Sequence, residues 1–543
     1  SSDEEEEEEH DEEDDDEDGE DESEEADMYE VVCDFTGEQK DDLTIKTGDI
    51  VDILFKRVIN VDDGWWKAEN EEGKVGLVPS TYLKKYEEEE EDVEAGVEVE
   101  EPTSDVQEPE QVVELKDPEI EDTTTEKTDV TDVLAAMGAL PAGFRPSMMH
   151  NLLTKNDDYS LRTALLPLLS PSQLGFANLH WNHATNQLRR VVTRVLRSCR
   201  LWKCKMIPVP STGVEVMSRH VRMALFDGTN VLSNIHTVRA QAEDTKPKLW
   251  GFPTAKTDGI LPSMVDGYSI VRSDCNHSNI GILFELGITY IRSQTGEKGE
   301  MSCGWVHLKL FDEQGNAIPN KTYELGLNGG TPYEQGVEVD PSIKKRAATN
   351  RFRALLEMDK QPKLMVQIGT PSNEKRKYLE LLPSSIVLTT ALTEVVSYFR
   401  RVLVDALVRN RVSSTDADLV HSPAIATFLE ALAHSDIMDA IRVLWTEKTQ
   451  GLTRADKRDK DNLKAVFKSV VMETAYPLLH SSGLPKAKWA DVQNESQRWQ
   501  YISQTIQSTK LPNGVLSYFL SSSDNVQPFD ISELTYDVIR DHG

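Results

Sequence analysis

A chain of 543 residues is too long for one domain, and at 38% hydrophobic residues with a mean hydropathy of -0.47 it is too polar to fold throughout. Taken as an average, its net charge of -37 excludes nucleic acid and anionic membrane as partners. Its five cysteines, odd in number and without a C-x-x-C, suit free thiols in a reducing compartment. There is no run of about 18 apolar residues to span a membrane. The charge, however, is unevenly placed. Residues 1–132 hold 54 acidic and 10 basic side chains, whereas 133–543 hold 41 and 48. The acidity belongs to the front, and the rest is weakly basic.

The chain starts at Ser1 inside an acidic run, without Met or a signal sequence, and is expected to be a piece of a longer protein. Residues 1–27 are almost entirely Asp and Glu, which repel one another and offer nothing to bury, so disorder is expected. Ser1, Ser2 and Ser23 each have acidic residues within the next three positions, which makes them candidates for an acid-directed kinase. Residues 28–86 are rich in Val, Ile, Trp and Tyr with Gly turns, the composition of a small all-β domain. The acidic pattern returns over 87–131, again read as a disordered linker. From 132 to 383, after a loop-like entry through 137–150, β-branched and aromatic runs alternate with turn signals. Examples are 213–226, 280–293 and 304–311, and the spacing predicts a β-sandwich. From 384 to 543 apolar residues recur at three and four, and an α-helical domain is predicted, with runs over 384–410, 424–447, 453–480 and 487–508.

The all-β island carries the most information. It reads VVCDF (31–35), DDLTIKTGDIV (41–51), DGWWKAEN (63–70) and GKVGLVPSTYL (73–83), and this ordered series resembles an SH3 domain over its whole length. The ligand such a domain takes is a polyproline II segment, with three residues per turn and preformed apolar ridges that fit flat aromatic walls. The resemblance places Phe35, Trp65, Pro79 and Tyr82 in the ligand groove, with the Trp65 indole N–H donating to a ligand carbonyl. It places Asp42, preceded by Glu38 and Asp41, in an acidic loop that pairs a ligand Arg or Lys. Trp66 falls on a structural position facing away from the groove, and Gly48 on a turn. One position departs from the pattern: the usual first groove tyrosine is Cys33, which offers less area and no hydroxyl, so a shallower pocket and lower affinity are expected. None of the 24 prolines lies three from another, so the ligand is expected from another protein.

Other constellations are weaker. His180, His183, Cys199 and Cys204 do not complete a zinc spacing, phosphate-loop and hydrolase motifs are absent, and no catalytic residue, metal or cofactor is called. The sandwich is read as C2-like, but Asp227, Asp266, Asp274 and Asp312 are isolated, which argues against a calcium cage. Basic clusters at Arg189–Arg190–Arg194–Arg197 and Lys344–Lys345–Arg346 could meet lipid headgroups.

Beyond the island, DVLAAMGALPAGFRPS (132–147), CKMIPVP (204–210), SRHVRMALFDGTNVLSNIHTVRA (218–240), LGITYIRSQTGEKGEMSCGWVHLKLFD (286–312) and NGGTPYEQGVEVDPSI (328–343) resemble the nephrocystin-1 family. The resemblance implies a non-enzymatic scaffold of cell–cell junctions and the ciliary transition zone. Its SH3 domain would bind focal-adhesion docking proteins, and its body nephrocystin-4. The coiled coil that this family carries ahead of the acidic run is missing here. The implied location is cytoplasmic, at the cilium base, at junctions and on the cytoskeleton. The rival reading is a membrane-peripheral module that binds lipid through the C2-like segment.

Overall fold

The computed structural model describes residues 27–37, 42–55, 65–70, 74–85, 140–172, 175–210, 213–252, 262–334, 336–340, 361–409, 419–520 and 535–537. The two acidic segments expected to be disordered lie outside these residues, apart from Asp27. The chain divides into two compact units, Ser1–Asp92 and Val93–Gly543.

In the first unit, period-two alternation builds a closed antiparallel core. Strands β1 (Asp27–Val31), β2 (Ile50–Phe55), β3 (Trp65–Asn70), β4 (Val75–Pro79) and β5 (Leu83–Lys85) are ordered β4-β3-β2-β1-β5. Val31, Leu43, Ile45, Val51, Ile53, Ala68 and Val78 are buried together. A turn before β2 puts Gly48 at φ +92°, in the left-handed region a glycine adopts without strain, and its N–H reaches the Val31 carbonyl at 2.8 Å. Asp34 fixes the same turn by accepting from the Thr47 N–H at 2.7 Å and hydroxyl at 2.8 Å, and these bonds lower its pKa.

In the second unit a short strand β6 (Arg145–Pro146) and a hairpin of β7 (Trp181–Asn182) and β8 (Gln187–Leu188) precede the long strands. These are β9 (Val195–Lys205), β10 (Val214–Phe226), β11 (His236–Ala240), β12 (Trp250–Gly251), β13 (Tyr268–Ser273), β14 (Gly281–Arg292), β15 (Lys298–Lys309), β16 (Lys321–Gly326), β17 (Lys363–Gly369) and β18 (Ile386–Thr389). One sheet runs β11-β10-β14-β15-β6, the other β16-β17-β9-β13-β18 with β12 beside β9. Val221, Met223 and Leu225 of β10 and Phe284 and Leu286 of β14 share a core with Leu201 of β9 and Leu364, Val366 and Ile368 of β17. The two sheets therefore face each other across one apolar layer.

The second sheet is covered on its other side as well. Ile270, Ile386 and Leu388 pack into a helical core, while their neighbours Val271 and Val387 point into the sandwich. That helical core is formed by helices Thr393–Val404, Pro423–Ala431, Ser435–Gln450, Lys460–Leu479 and Val492–Thr509. Leu165, Leu166, Leu179 and Leu188 join it from far upstream. The expected division at 383/384 is thus corrected. Residues 386–389 form β18, hydrogen-bonded along β13, and helices and sandwich belong to one compact unit. The run 384–410 read as helical begins as a strand because a strand buried on both faces shows no alternation. The entry segment is corrected too. Met148–Lys155 is a helix, capped by the Ser147 hydroxyl, which accepts from the His150 N–H at 3.1 Å.

A polar cluster lies inside the first sheet. His220 on β10 is fully buried, with neither ring nitrogen hydrogen-bonded and its Nε2 3.6 Å from a Glu300 carboxylate oxygen. Gly287 leaves room for it, since a Cβ there would come within 2.4 Å of that Nε2. Burial, reinforced by Arg222, His150 and Arg239, holds the His220 pKa well below its ordinary 6.5. As pH falls through 6.5 the unfolded chain gains this proton and the folded chain does not, so stability is lost on acidification. Thermal melts between pH 7 and 5 should therefore show a falling midpoint, and His220→Gln should flatten that slope.

Candidate functional site

Four of the residues singled out in the first unit come together. Leaving β1, the chain passes Cys33, which is exposed, to Phe35, whose backbone exchanges two 2.9 Å hydrogen bonds with Ile45. In the β3–β4 ladder Trp65 lies directly opposite Pro79. The 3-10 turn Ser80–Tyr82 then brings Tyr82 back, and its carbonyl accepts from the Val32 N–H at 2.9 Å. Phe35 occupies the middle. Its ring meets Trp65 edge-on with centroids 5.5 Å apart, and meets Tyr82 edge-on at 6.2 Å. None of the four side chains is fully buried. The result is a row of aromatic walls with Pro79 among them, partly open to solvent.

The next residue in β3, Trp66, alternates to the opposite face and packs edge-on against Tyr29 at 5.2 Å, beside the barrel core. Asp42 bridges to Leu77, two residues before Pro79 on β4, and the Leu43 N–H bonds the Leu77 carbonyl at 2.9 Å. Gly37 passes so close that a Cβ there would stand 2.8 Å from the Asp42 Cβ. Glu38 and Asp41, and Ser1, Ser2 and Ser23, lie outside the described residues. The Asp34–Thr47 clamp was not singled out from sequence, although the short polar residue between Cys33 and Phe35 was there to be read.

Among the described residues no three His, Cys, Asp or Glu side chains gather as metal ligands. Asp227, Asp266 and Asp312 instead accept hydrogen bonds from nearby backbone N–H groups of their own turns. Asp274 accepts from the Arg194 N–H at 3.1 Å. Cys199, Cys204 and Cys303 are buried, and burial pushes the Cys199 thiol up to about 12. Lys344–Lys345–Arg346 lie outside the described residues.

The family model for a variant SH3 domain matches residues 28–86. Nephrocystin-1 of Canis lupus familiaris is 44% identical over 518 residues, covering 94% of this chain and 91% of the relative. The chain belongs to the nephrocystin-1 family. A nephrocystin-1-like protein of Caenorhabditis elegans is 24% identical over 489 residues, 88% of this chain and 63% of its own length. Among solved structures, the C-terminal SH3 domain of myosin IB from Entamoeba histolytica is 30% identical, with 12% of this chain and 98% of that chain covered and a TM-score of 0.10. As a nephrocystin-1 family member with an SH3 domain, the chain has the parts of an adaptor, and proline-rich segments are what such a domain takes. Among the described residues no helix is long and apolar enough to cross a membrane.

Proposed function

We propose that this chain is a non-enzymatic scaffold whose SH3 groove captures a basic proline-rich segment of another protein. Phe35, Trp65, Pro79 and Tyr82 supply the apolar walls, the Trp65 indole donates to a ligand carbonyl, and Asp42 pairs a ligand Arg or Lys, supported by Glu38 and Asp41. The observation that carries the reading is the set of ring contacts that puts Phe35 against both Trp65 and Tyr82, with Pro79 across the ladder from Trp65. The second unit, read as a C2-like sandwich with its helices, would hold the larger assembly: nephrocystin-4 and other proteins of the ciliary transition zone and of cell junctions. The groove partners would be focal-adhesion docking proteins. A weak groove contact gains avidity once the body is engaged on the same complex. The test is an array of proline-rich peptides probed with the full chain. Retention of basic proline-rich spots supports the reading, and equal retention of proline-free basic spots overturns it.

A second reading keeps one specific observation. Val192 is 82% exposed beside the exposed Arg189, Arg190 and Arg194, a pattern that suits an anionic lipid surface. Flotation with phosphatidylserine vesicles that survives moderate salt would favour lipid binding by the C2-like segment over the scaffold reading.

A further inference from the structure

The segment that leads into β9 carries arginines that meet no carboxylate. Arg194 donates to the Cys275 carbonyl at 3.0 Å and lies over the Phe311 ring at 4.0 Å. Arg197 donates to the Asn320 amide oxygen at 2.9 Å and to the Thr370 hydroxyl at 3.3 Å. Arg376 stands exposed on the helix Asn373–Leu379. Among the described residues none of these three has a carboxylate within 4.0 Å. A fourth, Arg272, is 1% exposed and donates to the Thr193 hydroxyl and to the carbonyls of Val191, Leu382 and Pro383, all of them neutral.

These four line one cavity of about 300 Å³, and among the described residues Glu380 is the single carboxylate in its wall. Arg190 lies 3.9 Å from that carboxylate, and Asp274 and Glu380 both act on Arg272. The lining thus carries three positive charges in excess. Its exposed neighbours do not cancel them: Arg189, Arg190, Lys375 and Lys377 are matched by Asp274, Asp312, Glu313 and Glu374. Like charges gathered at a concave surface raise the local potential and draw in anions. The guanidinium groups are also preset. Phe311 backs Arg194, and Asn320 and Thr370 hold Arg197 through neutral bonds, so each planar fork remains available to a carboxylate. Val192, 82% exposed between Arg190 and Arg194 in the chain, offers an apolar contact at the same wall.

We propose that this arginine-lined cavity is the docking point for an acidic segment of a partner protein. Arg194, Arg197 and Arg376 pair its carboxylates, and Arg272 supplies a fixed positive charge at the wall. Asp312, Glu313 and Glu374, exposed and close along the chain to the lining residues Phe311 and Arg376, oppose a continuous anionic membrane. A single extended chain can instead set its carboxylates against the arginines alone. That the acidic segment belongs to another protein rests on the scaffold reading; the anionic chemistry does not, and neither concerns the SH3 groove.

The experiment uses the full chain, at an ionic strength that screens its acidic front. A fluorescent oligoglutamate peptide should bind saturably by anisotropy, and its oligoglutamine twin should not. Arg194→Gln combined with Arg376→Gln, both exposed changes, should weaken that binding by on the order of tenfold. Arg454→Gln combined with Arg458→Gln removes the same charge from an exposed helix outside the cavity and should leave binding unchanged. Binding of basic proline-rich peptides should be equal in all three proteins, which separates failure here from failure of the groove reading. Equal weakening in the two double variants overturns the site. No saturable binding by the full chain, the result expected if its own acidic runs fill the cavity, overturns the partner segment. Retention of phosphatidylserine vesicles but not of oligoglutamate, lost with Arg194→Gln and Arg376→Gln, overturns the protein ligand.

Discussion

Trp65→Ala should abolish capture of basic proline-rich peptides, and Cys33→Tyr should strengthen it. Trp65 is the largest wall of the groove, touching Phe35 and lying across from Pro79. Truncating a tryptophan at the centre of an interface costs about 2–4 kcal/mol, roughly 30- to 1000-fold in affinity. Because its ring is only partly buried, the barrel core of Val31, Ile45, Val51 and Val78 stays intact in the variant. The SH3 resemblance gives Cys33 the place of a groove tyrosine, and it is exposed on the segment that leaves β1 toward Phe35, so a tyrosine there should add aromatic area and a hydroxyl to the groove without disturbing the core. The gain should be about 0.5–1.5 kcal/mol, a few-fold to tenfold. Fluorescence anisotropy with one labelled peptide measures both. Trp66→Ala should act differently, lowering stability through the lost Tyr29 contact.

Phe428→Ala should destabilise the second unit by about 3–5 kcal/mol. Phe428 is fully buried, stacked on Phe399 with centroids 4.7 Å apart and edge-on to Phe467 at 5.3 Å, so its removal leaves a cavity that neighbouring rings cannot close. The effect should not stop at the helices. Ile270, Ile386 and Leu388 pack into the same core from the sheet that also lines the sandwich. Urea unfolding followed by the helical circular dichroism band and by tryptophan fluorescence should therefore give coincident transitions, both shifted to lower urea. A sandwich signal that keeps the wild-type midpoint would show two independently folding parts.

The groove was legible because its residues fall in short strings inside one small island. Four local strings name Phe35, Trp65, Pro79 and Tyr82, and short-range turns bring them together. The body was legible where long β-branched and aromatic runs are bounded by turn signals, as in β10 and β14, even though β14 is buried along ten residues. Ile386–Thr389 is equally buried but only four residues long, and it runs into the helix that follows with no Gly or Pro between them. The Met148–Lys155 helix was hidden by Gly143 and Pro146, which read as loop punctuation although Ser147 is an ordinary cap. The contacts that tie the hairpin of β7 and β8 to the helices had no sequence signature. Lys460 meets Gln187 across 273 residues, and no spacing announces a cluster assembled by packing alone.

The aromatic groove should be a working docking site. Its most direct measurement is the tryptophan indole N–H resonances of the full chain, nine in all, during titration with a basic proline-rich peptide. The Trp65 resonance should move saturably as its N–H takes a ligand carbonyl, while Trp66, on the opposite face, should shift little. A peptide that saturates its binding with the Trp65 indole unmoved would contradict the claim and place the docking function elsewhere on the chain.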